Sequence, residues 1–123
     1  FGFETTLAGR AHARRLATMK SQAGYQVVLY FLWLESEALA ISRVASRVRE
    51  GGHSIPTDTI KRRFQMGIRN FAQLYRKLAD DWYIIDASKA IPSISCRGNS
   101  DGVEVVDEDR LDYIRSISPE LLR

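Results

Sequence analysis

Cysteine is nearly missing: Cys96 is alone among 123 residues, so no internal disulfide can form and a reducing compartment is the natural setting. The two histidines, His12 and His53, stand at no metal-ligand spacing to each other or to the cysteine. Neither a Gly-x-Ser-x-Gly elbow nor a Cys/His dyad signature occurs, which moves metal enzymes and covalent-nucleophile enzymes down the list. Long apolar runs are also lacking. The most apolar stretch, Val27 to Leu34, falls far short of the roughly 20 residues of a membrane helix. The N-terminus has no basic-then-apolar order of the signal-peptide kind, so no membrane role and a cytoplasmic location are expected. There is no internal repeat and no low-complexity tract. Most telling is the absence of a Gly-x-x-x-x-Gly-Lys-Ser/Thr loop, the cradle that phosphate-transferring α/β domains place after their first strand.

What is present describes one domain, with 45% apolar and 27% charged residues. The net charge of +3 conceals an asymmetry: between Arg10 and Lys77 thirteen basic residues face four acids, and the remainder is acidic. Such a split suggests an anionic ligand for the first part: nucleotide, sugar phosphate or nucleic acid.

Phe1 to Glu4 reads as the end of a strand closing on a carboxylate, as if the chain started in mid-fold. Thr5 and Thr6 are placed to cap a helix from Leu7 to Ala23, which Gly24 would stop. Residues 25 to 34 form an almost unbroken β-branched and aromatic run, the pattern of a parallel strand covered on both faces, which wants a neighbour on each side. Ser36 opens a helix to about Glu50, with Ile41, Val44, Ala45 and Val48 on one face and Arg43 and Arg47 on the other. Gly51-Gly52-His53-Ser54-Ile55-Pro56 follows, with glycines that reach left-handed angles and a proline that disfavours helix at Ile55. Thr57 is expected to cap the next helix, which buries Ile60, Phe64, Ile68, Phe71, Tyr75 and Leu78 and ends near Asp80. Trp82 to Asp86 reads as a second buried strand, and Ser93 to Arg97 with Val103 to Val106 as a hairpin around Gly98 to Gly102. A final helix from about Asp107 carries Leu111, Ile114 and Ile117. Strands alternating with helices make the chain α/β, a three-layer sandwich.

Chemistry is expected around residues 36 to 76, where a glycine hinge between two arginine-bearing helices suits a lid over a phosphate-rich ligand. Arg43 and Arg47 could form a phosphate clamp, because guanidinium forks match phosphate oxygens; a solvated helix face is the plain alternative. Arg62, Arg69 and Arg76, at seven-residue spacing away from the apolar stripe, belong to that solvated face. Arg63 sits at the stripe's edge, from which it can reach into a cleft. His53 could contact a ligand or cap the helix before it, and His12 reads as partly buried. Glu4 and Asp86 close strands, where ligands of open α/β sheets bind.

These residues, in order, resemble a known family. Phe3-Glu4-Thr5-Thr6-Leu7, Gly24-Tyr25, Arg43-Val44, Arg47-Val48, Gly51-Gly52-His53-x-Ile55-Pro56, Ile60-x-Arg62-Arg63-Phe64, Asn70 and Asp86-x-Ser88 look like the C-terminal portion of a zeta-toxin-family P-loop kinase. The resemblance implies an incomplete P-loop NTPase core of the adenylate-kinase type, with a mostly parallel sheet and a C-terminal β-hairpin. It makes residues 1–123 the C-terminal portion of a single kinase domain, with the lid at about 36–76. It also implies an ATP-dependent phosphotransferase using Mg²⁺, in which Glu4 and Thr6 bind a small-molecule acceptor of the nucleotide-sugar class. Arg43, Arg47, Arg63 and His53 would hold ATP, with Arg47 and Arg63 offsetting charge in transfer. Thr5 stands where the better-known toxins carry glycine, and the next arginine is Arg10. An antitoxin partner is implied too. Without a P-loop these 123 residues alone are expected to be inactive, and to self-associate or pair with a missing N-terminal half. The alternative is a non-catalytic nucleotide- or protein-binding module that keeps the fold. Nucleic-acid binding ranks below both, because the aromatic residues lie mostly on apolar stripes.

Overall fold

A computed structural model of the chain describes Thr5 and residues 7–122. The elements run α1 (Ala11–Ala23), β1 (Val28–Trp33), α2 (Glu37–Arg49), α3 (Thr57–Asn70), a π-helical turn (Phe71–Tyr75), α4 (Arg76–Leu78), β2 (Asp81–Asp86), β3 (Ser93–Asn99), β4 (Gly102–Val105), α5 (Glu108–Ile117) and a 3-10 turn (Pro119–Leu122).

Local chemistry sets most helix ends. Ser36 accepts the Leu39 amide at 3.1 Å and Asp107 the Arg110 amide at 3.0 Å, each capping the helix that follows. Gly24 closes α1 at φ +69°. Helix α2 ends in a Schellman motif, with Gly52 N–H on the Arg47 carbonyl at 2.8 Å, Gly51 N–H on that of Val48 at 3.1 Å, and Gly51 at φ +101°. Two expected caps are not made. The Thr5 hydroxyl accepts the Leu7 amide at 3.2 Å, a local turn that delays α1 to Ala11. No side chain closes the start of α3, where Pro56 holds the cap position and Thr57 is already helical.

The sheet has the order β1-β2-β3-β4. The helical crossover between β1 and β2 returns the chain in the same direction, so they pair parallel, Val28 opposite Asp81 through Trp33 opposite Asp86. The Ser100-Asp101 turn, steadied by the Asp101 amide on Asn99 Oδ1 at 2.8 Å, forces β3 and β4 antiparallel. A bulge leaves Ser95 without a register partner on β2, where Ile84 faces Cys96 and Ile85 faces Ile94, and the Ser95 hydroxyl donates to the Ile84 carbonyl at 2.8 Å instead. The Ser95 carbonyl accepts the amides of Val106 and Asp107, both at 3.0 Å, and so ties the start of α5 to the sheet.

Two expectations need correction. The sheet is not mostly parallel, since only β1–β2 is, and the described helices build one core against one face rather than a three-layer sandwich. Nor is the run from 25 to 34 covered on both sides. Leu29, Phe31 and Trp33 turn into the core, while Tyr30 and Leu32 on the other face stay 60% and 61% exposed. Both faces of β1 carry apolar side chains, so no alternation betrayed its half-open setting. Tyr30 stacks on Tyr83 of the neighbouring strand at 5.0 Å.

Phe71, fully buried, centres the core, stacked on Phe31 at 4.6 Å and edge-on to Trp82 at 5.8 Å. Burial of such a ring stabilises by about 1.5–3 kcal/mol. The π-helical turn changes the helical phase after Tyr75, so Arg76 leaves the exposed line of Arg62 and Arg69 and lies over the Trp82 ring, 5.6 Å from its centre. On α5, Leu111 and Ile114 are buried, whereas Ile117 is exposed. Among the described residues no helix is long and apolar enough to cross a membrane.

Candidate functional site

A cleft of about 330 Å³ opens where the carboxyl ends of β1 and β2 meet α2 and α3. Its floor is apolar: Phe31, Trp33, Ile55, Ile60, Phe64 and Ile68 contribute. Its polar groups are Arg43 and Arg47 from α2 and Arg63 from α3, and no acidic side chain lines it among the described residues. Three guanidinium groups around an apolar floor have the chemistry that an anion with an organic body would need.

Each arginine arrives by a different local route. Arg43 and Arg47 stand one turn apart and stay exposed, but they line the cleft together with Ala40 and Val44 of the same side of α2. The expected buried face through Ala45 and Val48 is thereby corrected, both residues being exposed. Arg43 Nη2 donates to the Ala87 carbonyl at 2.8 Å and lies 3.4 Å from that of Ser88, which braces α2 against the end of β2. Arg63 is half-buried at the edge of the α3 stripe. Neither Arg47 nor Arg63 makes an ion pair among the described residues, so no carboxylate there offsets either charge.

The strand ends beneath are tightly held. Ser88 Oγ accepts the Glu35 amide at 2.9 Å, joining the segments that leave β1 and β2. Asp86, buried, accepts the Ser88 amide at 2.9 Å and pairs with Arg110 at 3.1 Å. Trp33 Nε1 donates to Ser118 Oγ at 3.0 Å, and the Tyr113 hydroxyl donates to Glu35 Oε2 at 2.7 Å. That last bond, and burial to a lesser degree, raise the Tyr113 phenol above its ordinary range. Asp86, named from the sequence as a strand-end carboxylate, is thus engaged in structure, and α5 serves as the clamp that steadies the floor.

The structure brings Arg43, Arg47 and Arg63 together and leaves His53 outside the cleft lining, exposed on its loop, whose Ile55 does reach the cleft. Glu4 and Thr6 lie outside the described residues. Sequence reading missed the bracing contacts from Ala87, Arg110 and Tyr113: Ala87 acts through its carbonyl, which leaves no trace in residue identity, and Arg110 and Tyr113 meet Asp86 and Glu35 from 24 and 78 positions away. Cys96 is fully buried, and burial raises its thiol, so it offers no thiolate. A more polar groove of about 380 Å³ runs along the hairpin between Asp81 and Glu104, but Arg97, the one cation among its described lining, is paired with Glu104 at 2.8 Å.

Among known proteins, a family model described as Zeta toxin matches residues 1–108. An uncharacterized protein of Haemophilus influenzae is 33% identical over 64 residues, covering 52% of this chain and 45% of that protein. The match therefore spans less than half of the relative's length. No solved structure matches.

Proposed function

The chain belongs to the zeta toxin family, and from that premise we propose that it supplies the lid and acceptor side of an ATP-dependent small-molecule kinase. The observation that carries the reading is the cleft with three arginines and no acid among its described lining. In this reading ATP supplies the transferred phosphoryl group. Arg47 and Arg63 hold its phosphates and offset the charge that develops on the equatorial oxygens, while Arg43, using one nitrogen on Ala87, turns its remaining donors to the same anion. Their planar forks suit phosphate oxygens, so these residues fit the nucleotide. The fit does not extend to Mg²⁺: among the described residues no group of three carboxylate, histidine or cysteine side chains could hold a metal ion. The acceptor, a nucleotide sugar, would lie beside Glu4 and Thr6, and an antitoxin is the partner that the family context supports.

The test uses the complete natural chain. Arg47→Ala and Arg63→Ala are expected to lower turnover on the order of 10³-fold and to weaken inorganic triphosphate binding, while Arg62→Ala on the exposed face changes neither. Unchanged triphosphate binding in both cleft variants would remove the phosphate assignment. Weakened binding in a chain that turns over no ATP would instead support the non-catalytic nucleotide-binding module. The exposed apolar face of Val28, Tyr30 and Leu32 is proposed to pack on the remainder of the kinase domain or on a second copy. Light scattering of the 123 residues showing a non-associating monomer would count against that packing.

A further inference from the structure

The π-helical turn Phe71–Tyr75 is bounded by two side chains that do the same thing to the same distant segment. Asn70 Nδ2 donates to the Leu7 carbonyl at 2.6 Å, and the Tyr75 hydroxyl donates to the Gly9 carbonyl at 2.6 Å. Both donors sit on nearly buried residues, Asn70 at 5% and Tyr75 at 1% exposure. In an α-helix, residues five apart point roughly 140° away from each other, so one of the two would miss. A turn closed from i to i+5 brings both to one side. The irregular turn therefore has a visible product: two donors that reach two carbonyls of one short segment.

That segment is itself held in an unusual state. Leu7 is buried at 4% exposure yet has φ +57°, a left-handed backbone that a bulky residue rarely takes. Its amide is used by Thr5 Oγ1 and its carbonyl by Asn70, so the strained peptide is fixed from both sides. Surroundings that over-determine a strained residue are what keep it in place, and such residues gather at functional sites.

We infer that Asn70 and Tyr75 are positioning residues that set the backbone from Leu7 to Gly9 and, through it, the acceptor side of the site. The inference rests on the reading of Glu4 and Thr6 given above, the latter being the chain neighbour of the gripped Leu7. Neither Asn70 nor Tyr75 is assigned contact with any substrate. Their effect passes through the backbone.

The experiment compares Tyr75→Phe and Asn70→Leu in the complete natural chain with Ile114→Val, a core truncation on α5 outside the cleft lining. Hydrogen exchange is read on the peptide spanning residues 7–10 and on the rest of the chain. Kinetics are read with ATP and a UDP-linked amino sugar as probe. Both donor variants are expected to speed exchange about tenfold or more in that peptide alone, and to raise the acceptor KM about tenfold with the ATP KM unchanged. Exchange that stays slow, or rises evenly as in Ile114→Val, overturns the grip. Fast local exchange with an unchanged acceptor KM overturns the positioning role, and Glu4→Gln then shows which link failed. If Glu4→Gln raises the acceptor KM, the acceptor site is right and the grip does not set it; if it does not, the assignment of Glu4 is wrong.

Discussion

Gly98 is the position at which a single methyl group should do most harm to the fold. A Cβ built there lies 2.2 Å from Trp82 Cζ2, 2.6 Å from Cε2 and 2.9 Å from Cη2. Carbon atoms in ordinary contact stand about 3.5–4.0 Å apart, so the indole must retreat by more than about 1 Å or β3 must lift from β2. Retreat is obstructed. Trp82 is 4% exposed, with Phe71 edge-on at 5.8 Å and the Arg76 guanidinium over its ring at 5.6 Å. Lifting β3 would strain the ladder in which Trp82 and Gly98 face each other. Overpacking commonly costs about 1–3 kcal/mol, and a clash with two shut exits belongs at the top of that range. Gly98→Ala should therefore lose about 3 kcal/mol, read as a lower urea midpoint at unchanged slope and a melting temperature lower by about 10–15 °C. A double-mutant cycle isolates the cause: with Trp82→Leu in place, the added methyl should cost about 2 kcal/mol less. Independent, additive losses, or a Gly98→Ala variant within about 0.5 kcal/mol of the parent, would refute the steric argument.

Three further outcomes follow from contacts elsewhere. Arg110→Met strands the buried Asp86 carboxylate and should cost about 2–3 kcal/mol, below the usual figure for a buried pair because Arg110 is 26% exposed. Adding Asp86→Asn should recover part of that loss in thermal melts, and a single variant as stable as the parent would show the pair to be dispensable. Asp80 is held below its ordinary carboxylate value, first by the Lys20 hydrogen bond and then by the Val27 amide, with bonds of 2.9 and 2.7 Å. A depressed folded value means that its contribution is complete above the unfolded value of about 3.9 and disappears as pH falls through the folded one. Asp80→Asn should accordingly flatten the acid side of the stability profile, and identical acid slopes would sink the linkage. Gly51, at φ +101°, should lose about 1–2 kcal/mol on replacement by alanine; denaturant titration showing no loss would mean that the Schellman turn rearranges freely.

The sequence by itself determined helices α2 and α3, the hairpin and the arginines worth watching. These are local matters: Ser36 and Asp107 cap with their own hydroxyl and carboxylate, Gly24 and Gly51 supply left-handed angles, and Asn99-Ser100-Asp101-Gly102 makes a turn wherever it is placed. The order of short motifs also pointed to the family that the match over residues 1–108 shows. Tertiary structure alone decided the rest. Whether β1 is central or at an edge depends on which strands lie beside it, and Val28, Tyr30 and Leu32 look equally apolar either way. The extra residue in the π-helical turn turns Arg76 onto Trp82 and brings Asn70 and Tyr75 to one side, something no helical periodicity of 3.6 could anticipate. Arg43, Arg47 and Arg63 could all have been solvated. They share a cleft because α2 and α3 pack against the ends of β1 and β2, a contact between residues far apart in the chain and therefore invisible along it.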